Sequence, residues 1–138
     1  MGETLVIEEN AYNKLAAHVE NTYPDEACGI LIGSIQDNRI YDIHEIVNRE
    51  KDKKKSFFSI SPMDIYKFEK EQKEIIGFYH SHPDKMAILS SLDKEYMMPY
   101  VLNLVFSVTK NGVFDMRAYK KEGFEITEVI EKSVLVHI

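Results

Sequence analysis

The chain has 138 residues, 44% hydrophobic and 29% charged, with a formal net charge of −6. That length fits one domain able to bury a core without staples, and the ordinary composition excludes a disordered or low-complexity chain. One cysteine, Cys28, excludes an internal disulfide and agrees with a reducing, cytoplasmic setting, while the acid excess speaks against nucleic acid as the main partner and no apolar run reaches the roughly 20 residues of a membrane span.

The opening "MGETLVIEEN" lacks the basic n-region and long apolar core of a signal peptide, and Val6 stands where a myristoylation signal has Ser or Thr. "TLVI" (Thr4 to Ile7) reads as a short strand. In "EENAYNKLAAHVENTY" the residues Ala11, Leu15 and Val19 recur at helical spacing, Glu8 and Glu9 lie at the end the helix dipole favours for acids, and Pro24 stops the helix. "EACGILIGS" (Glu26 to Ser34) reads as a buried strand whose Gly29 and Gly33 fit close backbone packing. "RIYDIHEIVN" (Arg39 to Asn48) alternates in period two and, with "QDN" before it, predicts a hairpin.

"REKDKKK" (Arg49 to Lys55) reads as a solvated loop, with a basic rim for an acidic protein as the other reading. A short strand "FFSI" follows. Ser61 then caps a helix, "PMDIYKFEKEQKE", with Pro62 in its first position and Ile65 and Phe68 toward the core. "IIGFYHS" predicts a strand that ends at two histidines. After a loop over 83–89, "SSLDKEYMM" begins a second short helix. The segments "VLNLVFSVT", "VFDMRAYKK" after a "KNG" turn, "FEITEVIE" and "SVLVHI" read as strands. The pattern predicts a mixed α/β class, a sheet flanked by helices.

His80 and His82 stand at i and i+2 near the end of a strand, so their side chains point the same way. Asp93 falls at the third helical position if Ser90 is the N-cap, from where its carboxylate can turn back toward them. Two histidines and one carboxylate make a catalytic zinc set with an open fourth position; a structural zinc site prefers four ligands, usually with cysteine. The same residues read equally as surface histidines beside a reciprocal Ser-x-x-Asp cap. Glu26 opens an otherwise apolar strand, where a carboxylate is costly unless exposed or used. It is either a solvated strand-end acid or the base a zinc hydrolase needs.

The set "PDEACGILIGS", "GFYHSHP" and "SSLD" resembles the JAMM, or MPN-plus, metallopeptidase family. That family's signature is a glutamate on an early strand, then H-S-H-P, then a serine and an aspartate. The chain carries Glu26, His80-Ser81-His82-Pro83, Ser90 and Asp93 with no departure. Asn48 followed by "FFSISPMD" is similar to the family's middle segment, so the likeness extends over nearly the whole chain. The resemblance implies a single JAMM/MPN domain over 1–138, with the cytidine-deaminase-like α/β fold of a mixed sheet flanked by helices. It implies that His80, His82 and Asp93 bind zinc and that Glu26 is the general base and acid. Ser90 would hydrogen-bond the oxyanion of the tetrahedral intermediate, and one hydroxyl can do this while capping the helix. Ser81 and Pro83 would shape the turn. Cys28 reads as a small packed residue, or as a nucleophile paired with a histidine, a role the zinc signature disfavours. Tyr96, Met97, Met98 and Tyr100 read as core at a helix end, or as the lining of a substrate groove.

The resemblance also implies hydrolysis of amide or isopeptide bonds after the Gly-Gly tail of a ubiquitin-like protein. A thin tail suits a narrow cleft and can add a strand to a sheet edge. The short chain, without the extra Cys/His cluster of some family deubiquitinases, points to the stand-alone prokaryotic branch. Its members process ThiS/MoaD-like sulfur-carrier proteins or remove ubiquitin-like modifiers from lysines. The alternative from another class is a non-catalytic MPN-type protein-interaction module, a role taken by domains that have lost the histidines or the aspartate. A zinc nucleoside deaminase would need a P-C-x-x-C half-site, which is absent.

Overall fold

Alternation of apolar residues and short turns lays down, in chain order, β1 (Leu5–Glu8), α1 (Glu9–Thr22), β2 (Cys28–Ser34), β3 (Arg39–Ile46), α2 (Pro62–Lys70), β4 (Ile75–Pro83), α3 (Ser91–Tyr96), β5 (Leu102–Thr109), β6 (Gly112–Glu122), β7 (Glu125–Val129) and β8 (Val134–His137). The structure, a computed structural model, describes residues 4–46, 62–123, 125–129 and 134–137. The readings of Asn48, the 49–55 run, the "FFSI" strand and the Ser61 cap lie outside the described residues.

The strands form one sheet in the order β7-β6-β5-β4-β2-β3-β1-β8. It is mixed: β4 runs parallel to β5, and β1 parallel to β3 and β8, while the other neighbours are antiparallel. On one face α1 buries Ala11, Leu15 and Val19, the three residues its spacing singled out, against Leu31, Tyr79, Leu104, Phe106 and Val108. His18 of α1 adds a polar tie, its Nδ1 2.7 Å from the Tyr79 hydroxyl. Because side chains alternate along a strand, the residues between these face the other way. There Phe68 of α2 packs on Cys28, Ile30 and Ile46, while Met97, just past α3, packs with Ala87, Leu89, Val105 and Tyr119. His80 and His82 lie on this second face of β4, in register with Val105 and Ser107 of β5.

Three of the boundaries that differ from expectation have a clear physical cause. β2 begins at Cys28 rather than Glu26, because the regular ladder with β4 stops at the pair Cys28 and His80. β4 continues through both histidines to Pro83, since β5 pairs with it that far. α2 ends at Lys70, short of the expected "EQKE". There Gln72 takes a left-handed φ of 61°, the Lys73 N–H bonds the Phe68 carbonyl and the Gln72 N–H the Glu69 carbonyl. That is a Schellman closure, with glutamine where glycine is the usual sequence signal.

Gly29 and Gly33 sit where the close-packing expectation put them. A Cβ on Gly29 would meet the Tyr79 ring at 2.4 Å, and one on Gly33 would lie 1.9 Å from the Arg39 carbonyl oxygen. The Gly33 strand cannot simply retreat, because its N–H is bonded to the Glu74 carbonyl on the opposite side at 3.0 Å. Gly33→Ala is therefore expected to destabilise the protein by about 2 kcal/mol, a fall of roughly 5–10 °C in the calorimetric midpoint. An unchanged midpoint would show that the hairpin absorbs the methyl group and that this approach does not constrain the sheet.

Candidate metal centre

Two of the sequence-predicted residues come from β4 and one from α3. His80 and His82 project from the same face of β4, both buried, with Nε2 atoms 3.3 Å apart. α3 opens with a reciprocal capping box. The Asp93 N–H donates to Ser90 Oγ at 3.0 Å, and the Ser90 N–H donates to Asp93 Oδ2 at 2.8 Å. This fixes the Asp93 carboxylate, which is only 1% exposed, over the histidines. Oδ2 lies 3.0 Å from His82 Nε2, and Oδ1 lies 3.5 Å from His80 Nε2. The cap and the histidine cluster, alternative readings of the sequence, are parts of one arrangement.

The electrostatics show what this arrangement is suited to hold. His82 Nδ1 is 2.9 Å from the Met86 carbonyl, which can only accept, so Nδ1 carries the hydrogen. A neutral His82 then turns a bare lone pair on Nε2 toward a carboxylate oxygen and a second imidazole. Asp93 Oδ1 is buried with no hydrogen-bond partner. Acceptors facing acceptors in a buried site repel unless a hydrogen or a cation lies among them. The lone pairs are satisfied by a proton on His82, by a hydrogen on His80 Nε2, or by a metal ion. Donor atoms of His80, His82 and Asp93 all lie within 4.8 Å of one another, the one such group among the described residues. The carbonyl on the far side of a histidine ring is also what orients a metal-ligating imidazole. The donor set therefore fits a divalent metal.

The protonation states follow the same logic. Burial by itself would raise the Asp93 carboxyl, but the facing imidazoles of His80 and His82 and the Ser90 N–H hold it well below the usual carboxylate range. Burial would lower His82, yet its bonds to Asp93 and Met86 and the charges of Asp93 and Glu26 raise it above its ordinary value.

The loop between β4 and α3 is held by residues that sequence reasoning did not single out. Tyr119 Oη donates to the Ala87 carbonyl at 2.7 Å. Tyr23 Oη reaches both carboxylate oxygens of Asp84 at 2.8 and 2.9 Å. The Asp84 N–H bonds the Val108 carbonyl at 2.8 Å. Together these place the Met86 carbonyl behind His82. The signal in the sequence was slight: Met86 to Leu89 are all apolar, and only Ala87 and Leu89 are buried while Met86 and Ile88 are exposed.

Other expectations fare differently. Glu26 lies just ahead of β2, half-buried, near enough for its charge to act on His82. Ser90 is exposed at the mouth of α3. Ser81, expected to shape a turn, lies inside β4, fully buried, and its hydroxyl accepts the Ala27 N–H at 2.8 Å. Cys28 packs with Ile30, Ile46 and Phe68 and is not among the three converging donors. Of the residues expected as core after α3, Met97 is buried, but Met98 and Tyr100 are exposed. The reason is local: Tyr100 takes a left-handed φ of 65° and its N–H bonds the Lys121 carbonyl, which turns the chain outward. The side chain of Tyr96 lies outside the described residues.

The pH dependence of stability follows from the sign of these shifts. A depressed Asp93 stabilises the fold above its unfolded value of about 4, and this is lost as the pH falls; a raised His82 stabilises it below about 6.5, and this is lost as the pH rises through the higher folded value. The stability that metal-free protein holds over His82→Ala is expected to shrink as the pH rises above about 6.5, while His18, whose pKa burial lowers, acts in the opposite sense in both proteins. A divalent metal competes with the proton for Nε2, so saturating metal should reverse that trend. A difference that grows with pH over this interval in the absence of metal would mean that His82 does not hold the proton.

Comparison with known proteins agrees with this geometry. Residues 8–121 match the model of the prokaryotic homologs of the JAB domain. An AMSH-like protease of Schizosaccharomyces pombe is 23% identical over 81% of this chain and 27% of its own length. A human AMSH-like protease is 26% identical over 72% of this chain and, again, 27% of its own length. The chain thus spans about a quarter of the curated relatives it matches. Among solved structures, a protein from Desulfitobacterium hafniense superposes with a TM-score of 0.71 at 20% identity, covering 95% of this chain and 91% of that one. A JAB1/MPN domain protein from Archaeoglobus fulgidus gives 0.61 at 15% identity, covering 99% and 100%. A mixed sheet with the two histidines on a central strand, an aspartate on the next helix and a family match across most of its length together place this chain in the prokaryotic JAB-domain family.

Proposed function

We propose that this chain is a zinc-dependent peptidase or isopeptidase. It would hydrolyse the amide bond after the C-terminal Gly-Gly of a ubiquitin-like or ThiS/MoaD-like sulfur-carrier protein. The observation that carries the reading is the convergence of three buried donors, from His80, His82 and Asp93, with one carboxylate oxygen left unpartnered. Two protease relatives of the same family support it. In this reading His80, His82 and Asp93 hold zinc. When bound, zinc lowers the pKa of water to about 7 and polarises a carbonyl.

The remaining work falls to this chain's own groups. Glu26 takes a proton from the attacking water and hands it to the departing amine. The effect of its charge on His82 supports this role. The Ser90 hydroxyl accepts the Asp93 N–H, which leaves its own hydrogen to donate to the developing oxyanion. The Met86 carbonyl holds the His82 ring in place throughout, by accepting its Nδ1 hydrogen.

Elemental analysis should find one zinc per chain, and His80→Ala or His82→Ala should lose metal and turnover together. Glu26→Gln should keep metal and fold but lose turnover by about 10²–10⁴-fold, the usual contribution of a positioned base. Activity that survives complete metal removal would sink the metallopeptidase reading. Wild-type turnover by a zinc-loaded Glu26→Gln protein would remove Glu26 from its role.

A carrier ending in Gly-Gly, extended by a cysteine or joined to a lysine, should be cut after the second glycine, and mass spectrometry of the products will show where. An Ala-Ala tail should be cut poorly, because its methyl groups crowd the cleft and restrict the tail's backbone. Equal cleavage of both tails would replace tail recognition with a broad peptidase. Zinc binding without cleavage of either would favour an interaction module.

A further inference from the structure

The ladder between β2 and β4 ends in an unusual way. Cys28 pairs with His80, so continuing the antiparallel register sets Ala27 opposite Ser81 and Glu26 opposite His82. In a regular hydrogen-bonded pair the two residues exchange backbone bonds in both directions. Here only half of that exchange is made. The Ser81 N–H donates to the Ala27 carbonyl at 3.0 Å. The Ala27 N–H, however, goes to the Ser81 hydroxyl at 2.8 Å instead of to the Ser81 carbonyl. A side-chain oxygen has taken over the acceptor's place in the ladder.

Two consequences follow. First, Ala27 stays tied to β4 by two bonds although it lies outside the regular strand. It is 2% exposed, so neither bond can be exchanged for one to water. Second, the altered acceptor releases the chain from strand geometry one residue before Glu26. In a continued strand Glu26 would share a face with Cys28 and be directed by the pleat alone. Pinned at Ala27 beside the end of β4 that carries His80 and His82, the backbone fixes the point from which the Glu26 side chain departs.

We propose that Ser81 is the positioning residue for Glu26, acting through the Ala27 backbone. The inference rests on the reading of Glu26 as the proton-transferring group. Ser81 touches neither the donor cluster nor a reacting atom in this role. It alternates with His80 and His82 along β4, so one strand carries the metal donors on one face and the tether of the base between them. A misplacement of about 1 Å at a reacting group can cost on the order of 10²-fold in rate, which gives such a tether its leverage.

The test is a double-mutant cycle on the zinc-loaded protein with a Gly-Gly-tailed carrier as substrate. Ser81→Ala should lower kcat by about tenfold or more, with little change in KM and with full metal content. In the Glu26→Gln background the same substitution should change kcat by less than about twofold, because no base remains to be positioned. The amide hydrogen exchange of Ala27, followed by NMR, should accelerate in Ser81→Ala and stay slow in Ser81→Thr, which keeps the hydroxyl and should restore turnover. Should Ser81→Ala fail to fold, Ser81→Cys, with its weaker acceptor, goes through the same cycle and is judged by the same ratio.

An equal loss in both backgrounds would reduce Ser81 to a structural residue and overturn the proposal, and so would unchanged turnover with Ala27 exposed to exchange. Failure of the underlying reading is seen separately, in full turnover by Glu26→Gln alone or in a wild-type protein that cuts none of these substrates.

Discussion

Everything at this centre depends on one carboxylate being held where it would rather not be. Asp93 is buried against two imidazoles, and left to itself such a group would be neutral or exposed. The capping box prevents both. By accepting the Ser90 N–H, Asp93 satisfies a donor that the start of α3 would otherwise leave unpaired. The helix start thus favours the ionised carboxylate in the place where it faces His80 and His82. A short helix with little stability of its own is, in turn, secured by the group that binds the imidazoles.

The surrounding loop is organised by the same demand. His82 can present Nε2 only while something engages Nδ1, and that partner is a backbone carbonyl from a loop with no regular structure. The phenols of Tyr23 and Tyr119 reach that loop from α1's end and from β6, across opposite flanks of the sheet. The site is therefore less local than its three donors suggest. It rests on contacts drawn from both halves of the chain.

How much of this was legible in the sequence varies with the kind of signal. The helix α1, the β2–β3 hairpin and the strands β4 to β8 show in hydrophobic period and turn residues, because those patterns record which side of an element meets the core. The clustering of His80, His82 and Asp93 follows from strand alternation and the Ser90 cap. The closure of α2 was hidden, since Gln72 takes a conformation that normally announces itself as glycine. The outward turn at Tyr100 was hidden for the same reason: a tyrosine gives no warning of a left-handed backbone. Tyr119 and Tyr23 could not be read as loop anchors, because which carbonyl or carboxylate a phenol meets is decided by tertiary packing. Ser81 was visible as a residue but not as a rung of the ladder, because substitution of a hydroxyl for a carbonyl leaves no trace in spacing.

The positions of these groups along the chain also bear on the order in which the site assembles. His80, His82 and Asp93 lie within a single short stretch, so bringing them together closes a small loop at modest entropic cost. Ala27 and Ser81 are separated by 54 positions, and their two bonds form only once β2 has docked beside β4. A nascent chain can therefore bring the three donors near one another early, while the contacts of Tyr23 and Tyr119 that orient the loop, and the tie of Ala27 to Ser81, wait for distant elements to dock. Proximity comes first and orientation second: the docking of distant elements, not the short local loop, decides when the three donors face one another as they do in the folded protein.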